Sequence, residues 1–224
     1  MPTVVLVRHG ETSANAKGVL AGRLPGVALN ERGRQQAQSV GQRLRGATIH
    51  ALVSSPLERT RATAALIRSS LDQPPRVRLE RRLIECDYGQ WSGRKLSSLA
   101  KLPLWRDIQS RPSMVEFPSG ESMATMAARA VAAVRDWNRT LQADIGPDAL
   151  WVAVSHGDVI KAIVADALGV HLDGFQRIHI APGSMSIISY SERGTSVLAV
   201  NSHDHVVPGT RGAGDGRPTL GGGR

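Results

Sequence analysis

Apolar positions along the chain switch between runs with no alternation and stretches with helical spacing, and that switching predicts the architecture. Thr3–Val7 (TVVLV) is apolar and rich in β-branched residues throughout, as expected of a strand covered on both faces. After a glycine-containing loop over Pro25–Asn30, a helix is expected from Asn30 onward, with Ala37, Val40 and Leu44 on one face. Ile49–Ser54 predicts a second short strand. Ser55-Pro56-Leu57-Glu58 then reads as a helix start: Ser55 caps, Pro56 sits where its missing N–H costs nothing, and Glu58 closes a capping box. The inward positions of that helix are expected at Ala62, Ala65 and Leu66.

Pro74-Pro75 interrupts the pattern and Arg76–Leu79 reads as an edge strand. Glu80 to Ser119 is irregular, punctuated by Pro103, Pro112 and Pro118, and a segment of that length inside a domain is usually a lid or binding region. Met123, Met126, Ala127, Ala130, Val134, Trp137 and Leu141 then fit a long helix from Glu121 to Leu141. Leu150–Val154 reads as a buried strand, Val159–Leu168 as an apolar helix ended by Gly169, and Ile178–Ile180, Ser184–Tyr190 and Val197–Val200 as further strands. From Gly209 the chain is glycine-rich without periodicity. The expectation is a three-layer α/β/α sandwich with a largely parallel sheet. It predicts one domain over residues 1–208, a substrate-facing lid over 93–119 and a flexible tail over 209–224.

Composition narrows the setting. Apolar residues are 41% and charged residues 21%, ordinary for a globular protein. The single cysteine, Cys86, cannot form an internal disulfide, and the N-terminal MPTVVLVRHG reads as a strand and not as a leader, so a cytoplasmic location is expected. No stretch approaches the roughly 18 apolar residues of a spanning helix, so no membrane partner is expected. The net charge is 28 − 19 = +9, but the arginines are scattered and aromatics are only 4%. An anionic small molecule is therefore a better partner for this charge than nucleic acid.

Candidate chemistry sits where the strands end. Thr3–Val7 runs into Arg8-His9-Gly10, Ile49–Ser54 into the helix start that carries Arg59, and Leu150–Val154 into Ser155-His156-Gly157. Ligands of open α/β sheets bind outside the carboxyl ends of strands, and helix N-termini add N–H donors there. A lone histidine at a strand end is more often structural than catalytic. Arg-His, Arg and His at three strand ends together predict one cationic pocket for a phosphate.

The blocks LVRHGETSAN (Leu6–Asn15), LNERGRQQA (Leu29–Ala37), SSPLERTRATA (Ser54–Ala64), LIECDYGQWSG (Leu83–Gly93), FPSGES (Phe117–Ser122) and VSHGDVIKAI (Val154–Ile163), in that order, resemble the histidine phosphatase superfamily, the phosphoglycerate mutase-like proteins with an Arg-His-Gly signature. The resemblance implies a metal-independent phosphomonoester hydrolase working through a phosphohistidine on His9, without cofactor, on a small-molecule phosphomonoester. It implies that Arg8, Arg59 and His156 hold the phosphate, with Asn15 and Thr12 adding hydrogen bonds. It also makes Glu85 the proton donor to the leaving group and puts Glu121 behind the pocket, although Glu121 reads equally as a helix first-turn acid.

Within the resemblance, the rival activity is a phosphoglycerate mutase-like phosphomutase, and Gly18–Gly33 also resembles a phosphomutase subgroup. Cofactor-dependent mutases resemble one another in a longer insertion with an adjacent Arg-Arg pair. Here about 70 residues separate Glu85 from His156, and that segment carries only isolated Arg94, Arg106 and Arg111 beyond its helix, which favours a phosphatase. A non-catalytic phosphate-binding protein would have lost His9, Glu85 or His156, and all are present. His203-Asp204-His205 resembles a metal-ligand pair without further ligands nearby in sequence, so no metal is expected. Cys86 reads as a buried thiol. Trp91, Trp105, Met114 and Phe117 either line the substrate mouth or pack the lid. The substrate's identity is not readable from the sequence, and a homodimer is left open.

Overall fold

A computed structural model of the chain describes residues 2–191 and 194–203. In chain order its elements are β1 (Thr3–Arg8), α1 (Ser13–Ala16), α2 (Glu31–Leu44), β2 (Ala51–Ser54), α3 (Glu58–Ser69), β3 (Val77–Leu79), α4 (Leu96–Leu99), α5 (Pro103–Ser110), α6 (Met123–Asp144), β4 (Leu150–Ser155), α7 (Gly157–Ala167), β5 (Met185–Ser191) and β6 (Gly194–Ser202). The strands form one sheet in the order β3-β2-β4-β1-β5-β6. β3, β2, β4 and β1 are parallel, and the β5–β6 hairpin joins β1 antiparallel.

The apolar, non-alternating strands follow from cover on both faces. Val4, Leu6, Trp151 and Ala153 pack against α6 and α7, while Val5, Val7, Val152 and Val154 pack against α2 and α3. Successive side chains of β1 thus enter different cores. Each fully buried Val or Leu contributes roughly 1.5–3 kcal/mol. The expected three layers and largely parallel sheet are found.

Three local expectations are corrected. Ile178–Ile180 is not a strand: it follows a 3₁₀ helix (Leu172–Arg177), and the Ile180 carbonyl accepts from Arg8 Nη1 at 2.6 Å instead of joining a ladder. α3 has Leu57, not Ser55, at its N-cap, with no side-chain cap, because the Ser55 hydroxyl is engaged elsewhere. Its buried face is Arg59, Thr60, Thr63, Ala64 and Ile67 and not Ala62, Ala65 and Leu66. Burial is tolerable for the threonines because Thr60 donates to the Ser55 carbonyl and Thr63 to the Arg59 carbonyl.

The stretch read as irregular contains α4, α5 and three 3₁₀ turns, with Leu99 and Ile108 anchoring it to the α6–α7 core. The stretch from Gly209, and Asp204 and His205, lie outside the described residues. No helix among the described residues is long and apolar enough to cross a membrane.

Candidate active site

Strand register sets the level of the site. Arg8 pairs with Ser155 and Ser54 with Val154, so β1, β2 and β4 finish together. The His9 N–H then donates to the Ser155 carbonyl and the Ser55 N–H to the Val154 carbonyl, each at 3.0 Å. After β1 the chain turns sharply against α2. A Cβ on Gly10 would lie 2.1 Å from the Gly33 carbonyl oxygen, and one on Gly33 would lie 2.0 Å from that of Glu11. Only two glycines allow these backbones to touch, which holds His9 at the strand end. α7 leaves β4 toward one face while α2 and α3 lie on the other, and the crevice between β1 and β4 opens at this divergence.

Hydrogen bonds fix the state of His9. Its Nδ1 is 2.8 Å from the Gly10 carbonyl, which can only accept, so Nδ1 carries the hydrogen. Arg59 Nε, which can only donate, is 3.2 Å from His9 Nε2, so Nε2 presents its lone pair. Burial, then the positive charges of Arg59 and Arg8, hold the His9 pKa well below the ordinary value, against a smaller opposing effect of the Gly10 hydrogen bond. The ring is therefore neutral near pH 7.

His156, the N-cap of α7, is fully buried and edge-on to His9 with ring centroids 5.3 Å apart. Arg59 Nη2 lies 3.2 Å from its Nδ1, and its Nε2 lies 2.8 Å from the Ser55 hydroxyl. Since the guanidinium only donates, Nδ1 accepts and Nε2–H donates to Ser55. Burial and then Arg59 depress this pKa too, so its 4.0 Å approach to Glu85 is not an ion pair. Arg8 Nη1 donates to Ile180, while Arg8 Nε is buried without a partner. Arg59 Nη2 also donates to the Gly22 carbonyl at 2.8 Å.

Glu85 also lines the pocket. Burial raises its pKa to about 7, with Asp158 adding to the rise and Arg59 and Arg8 opposing it. Its backbone is clamped from behind: Arg23 Nε and Arg129 Nη2 both donate to the Glu85 carbonyl, at 2.8 and 3.2 Å. Glu121 holds both arginines, at 2.7 Å from Arg23 and 2.6 Å from Arg129, and accepts from the Asp87 N–H at 2.9 Å. Glu121 thus lies behind Glu85.

The resulting pocket encloses about 320 Å³. Arg8, His9, Thr12, Asn15, Arg59 and Glu85 line it, and fully buried His156 reaches it through its contacts with His9 and Arg59. Thr12 and Asn15 form a capping box at α1, and the Thr12 hydroxyl is 2.8 Å from Asn15 Oδ1. Trp91, Trp105 and Phe117 line the pocket, with the two indoles stacked, whereas Met114 is 79% exposed and does not. Cys86 is buried, and burial pushes its thiol pKa up.

Sequence reasoning missed several neighbours. Ser55 was legible only as a cap. Tyr88, Asp158 and Lys161 sit inside recognisable blocks yet carry no signal of their own, and all three line the pocket. A larger hollow of about 880 Å³ between α6, α7 and the β5–β6 hairpin contains neither histidine nor Glu85, so size alone does not mark the site. Among the described residues, no group of three or more His, Cys, Asp or Glu is placed to hold a metal.

A neutral, tautomer-fixed imidazole between buried Arg59 and half-buried Arg8 at the mouth of an α/β sheet makes a site with the charge and donors to hold an anion. The chain belongs to the histidine phosphatase superfamily, branch 1, whose profile matches residues 4–203. It is 33% identical over 213 residues to phosphoserine phosphatase 1 of Hydrogenobacter thermophilus, covering 92% of this chain and 95% of that one. It is 36% identical over 194 residues to the probable phosphoglycerate mutase GpmB of Erwinia tasmaniensis, covering 86% of each. Among solved structures, Bacillus stearothermophilus YhfR superposes with a TM-score of 0.80 at 26% identity, covering 91% of this chain and 99% of that one. A mycobacterial glucosyl-3-phosphoglycerate phosphatase in complex with VO3 superposes with a TM-score of 0.77 at 25% identity, covering 89% and 99%.

Proposed function

We propose that the protein hydrolyses small phosphomonoesters through a phosphohistidine on His9, in a single catalytic domain over residues 1–208. The observation that carries this reading is the double clamp on His9: Nδ1–H is tied to the Gly10 carbonyl while the Nε2 lone pair faces the pocket under Arg59. A neutral imidazole so oriented is a competent nucleophile near pH 7.

In the first step His9 Nε2 forms the N–P bond as the ester P–O bond breaks, and Glu85 gives its carboxyl proton to the departing oxygen. A carboxyl with a pKa near 7 still holds that proton at neutral pH. Arg8 and Arg59 stabilise the three equatorial oxygens with donors already in place, and the unpartnered Arg8 Nε is one of them. Asn15 Nδ2 reaches the phosphate, oriented by Thr12, whose hydroxyl is committed to Asn15 Oδ1. As the dianion arrives, His156 takes a proton from solvent at Nδ1, which gives up the hydrogen bond it accepts from Arg59 and donates to a phosphate oxygen instead. In the second step water attacks phosphorus, the N–P bond breaks, Glu85 recovers its proton from that water, and inorganic phosphate leaves. No metal is required for either step, because two guanidinium groups supply the positive charge.

Segment 93–119 decides which leaving group enters, since Leu96, Trp105, Ile108, Gln109 and Phe117 all face the pocket. A cytoplasmic location and a small-molecule partner complete the reading. The named relatives include both a phosphoserine phosphatase and a mutase. Hydrolysis is favoured because Arg8 and Arg59 are the pocket's arginines, while Arg94, Arg106 and Arg111 do not line it. The test is brief reaction with substrate, acid-labile phosphate mapping and measurement of released phosphate. Phosphate on His9 and its release to water support the reading; label on another residue ends it.

A further inference from the structure

We propose that Arg23 is a positioning residue for the proton transfer: its guanidinium ties the loop that anchors Arg59 to the backbone of Glu85, and so sets where the acid stands relative to the bound phosphoryl group. This rests on the phosphohistidine reading above and adds a residue to it.

The loop between α1 and α2 lines the pocket at Leu20, Ala21 and Gly22. Gly22 has a φ of +53°, and its carbonyl accepts from Arg59 Nη2 at 2.8 Å. A Cβ on Gly22 would stand 2.7 Å from Ser92 Oγ and 3.1 Å from the Tyr88 ring, so only glycine lets the loop press against the segment that follows Glu85. Backbone bonds extend this seam. The Leu20 N–H donates to the Arg94 carbonyl at 2.9 Å, and the Gly93 N–H donates to the Leu20 carbonyl at 2.7 Å.

The next residue, Arg23, carries the link back to Glu85 itself. Each nitrogen of its guanidinium has a partner on the acid's side. Nε donates to the Glu85 carbonyl at 2.8 Å, Nη1 to Asp87 Oδ2 at 3.3 Å and Nη2 to Glu121 Oε1 at 2.7 Å. Glu85 Oε1 in turn accepts from the Cys86 N–H at 3.0 Å, so the carboxyl is aimed by its own backbone. A shift of that backbone is a shift of the proton. Arg129 holds the same carbonyl from α6, whereas Arg23 holds it from the loop that also holds Arg59.

Consecutive residues therefore grip both partners of one reaction: Gly22 the arginine on the phosphate, Arg23 the acid on the leaving oxygen. General-acid transfer needs heavy atoms within about 2.6–3.2 Å, and a misplacement on the order of 1 Å can cost about 10²-fold. Arg23 does not line the pocket, so it acts without touching substrate. Three acceptors lie around one planar fork, and a lysine ammonium keeps the charge without spanning them.

The experiment measures single-turnover phosphorylation with glycerol 3-phosphate, which leaves as an alkoxide, and nitrophenyl phosphate, whose leaving group needs no proton. Arg23→Gln and Arg23→Lys should slow the first by roughly 10–10²-fold and the second by less than about threefold. In a Glu85→Gln background, Arg23→Gln should cost little more, because the proton it places is gone. Circular dichroism and Tm follow folding, and the nitrophenyl rate reports an intact pocket in the same samples. Equal slowing of both esters, full recovery by lysine, or losses that multiply in the double variant overturns the role of Arg23. If Glu85→Gln itself leaves the ratio of the two esters unchanged, the acid role of Glu85 falls, and the mechanism proposed above falls with it. If Glu85→Gln moves that ratio and the Arg23 variants do not, the role of Arg23 falls alone.

Discussion

Arg59 Nε donates into the lone pair of His9 Nε2 across 3.2 Å, so the arginine we propose for the phosphate engages the very atom we propose as nucleophile. Incoming phosphate oxygens give the guanidinium better acceptors and free the ring nitrogen for attack. His9→Ala should reduce turnover by roughly 10⁴-fold or more with circular dichroism and Tm close to wild type, because the ring sits at the strand end outside both cores. Arg59→Lys should retain the charge and lose the fork, lowering kcat/KM by about 10²–10³-fold. Near-wild-type turnover of His9→Ala would remove the covalent mechanism.

Glu85 carries a pH signature. Its pKa is raised to about 7, chiefly by burial, and it must be protonated to act as an acid. The single-turnover phosphorylation rate with an alkoxide leaving group should therefore fall as pH rises through about 7, further up once the phosphate dianion is bound. Glu85→Gln should lose this limb and slow that step by roughly 10²–10⁴-fold, with a much smaller loss for nitrophenyl phosphate, whose leaving group needs no proton. Folding stability should fall over the same pH range. A carboxyl raised in the folded state favours folding at low pH, and that contribution is lost as pH rises through the folded pKa. Glu85→Gln should hence gain on the order of 1–3 kcal/mol relative to wild type between pH 5 and pH 8, read by denaturant melts. Equal slowing for both leaving groups would take Glu85 out of the acid role.

Ser55 offers a test of how His156 is aimed. The hydroxyl accepts from His156 Nε2–H, fixing Nδ1 toward Arg59. Ser55→Ala should leave α3 intact, since Leu57 is its N-cap, and lower kcat by roughly tenfold with a smaller change in KM. Ser55→Thr, which keeps the hydroxyl, should recover most of the loss. A drop in Tm without a change in kcat would make Ser55 a purely structural residue.

What the sequence disclosed follows from which interactions are local. β1 and β4 were legible because cover on both faces leaves an unbroken apolar run, and His9 and His156 because each directly follows such a run. Ser55 misled because a serine before a proline is a good cap in isolation. The competing demand came from His156, 101 residues away, and no local pattern records it. α3's buried face was misjudged because two threonines that satisfy their hydroxyls on nearby carbonyls look polar in a sequence. Ile178–Ile180 has strand composition, but the Ile180 carbonyl is taken by Arg8, whose long reach across the strand ends could not be inferred. Asp158 and Lys161 are spaced i,i+3, as ordinary helix-surface pairs are, and no local pattern records that both line the pocket.

The remaining choice is between hydrolysis and isomerisation, since both share the phosphorylation of His9. A mutase has to keep the phosphoenzyme from water and hold a phosphorylated acid in two opposed orientations, which calls for a strong clamp on its carboxylate. Beyond Arg8 and Arg59 the pocket wall carries Lys161, and Asp158 beside it offsets that charge. A glycerate held by so balanced a pair gains little from either orientation, so water should intercept the phosphoenzyme first. With 3-phosphoglycerate as substrate, inorganic phosphate should appear at least about tenfold faster than 2-phosphoglycerate, and 2,3-bisphosphoglycerate should not stimulate isomerisation. Asp158→Asn provides the internal check: unmasking Lys161 strengthens the hold on a carboxylate, so any isomerase activity should rise in that variant relative to phosphate release. Isomerisation outpacing phosphate release by tenfold in the wild type would establish the mutase instead.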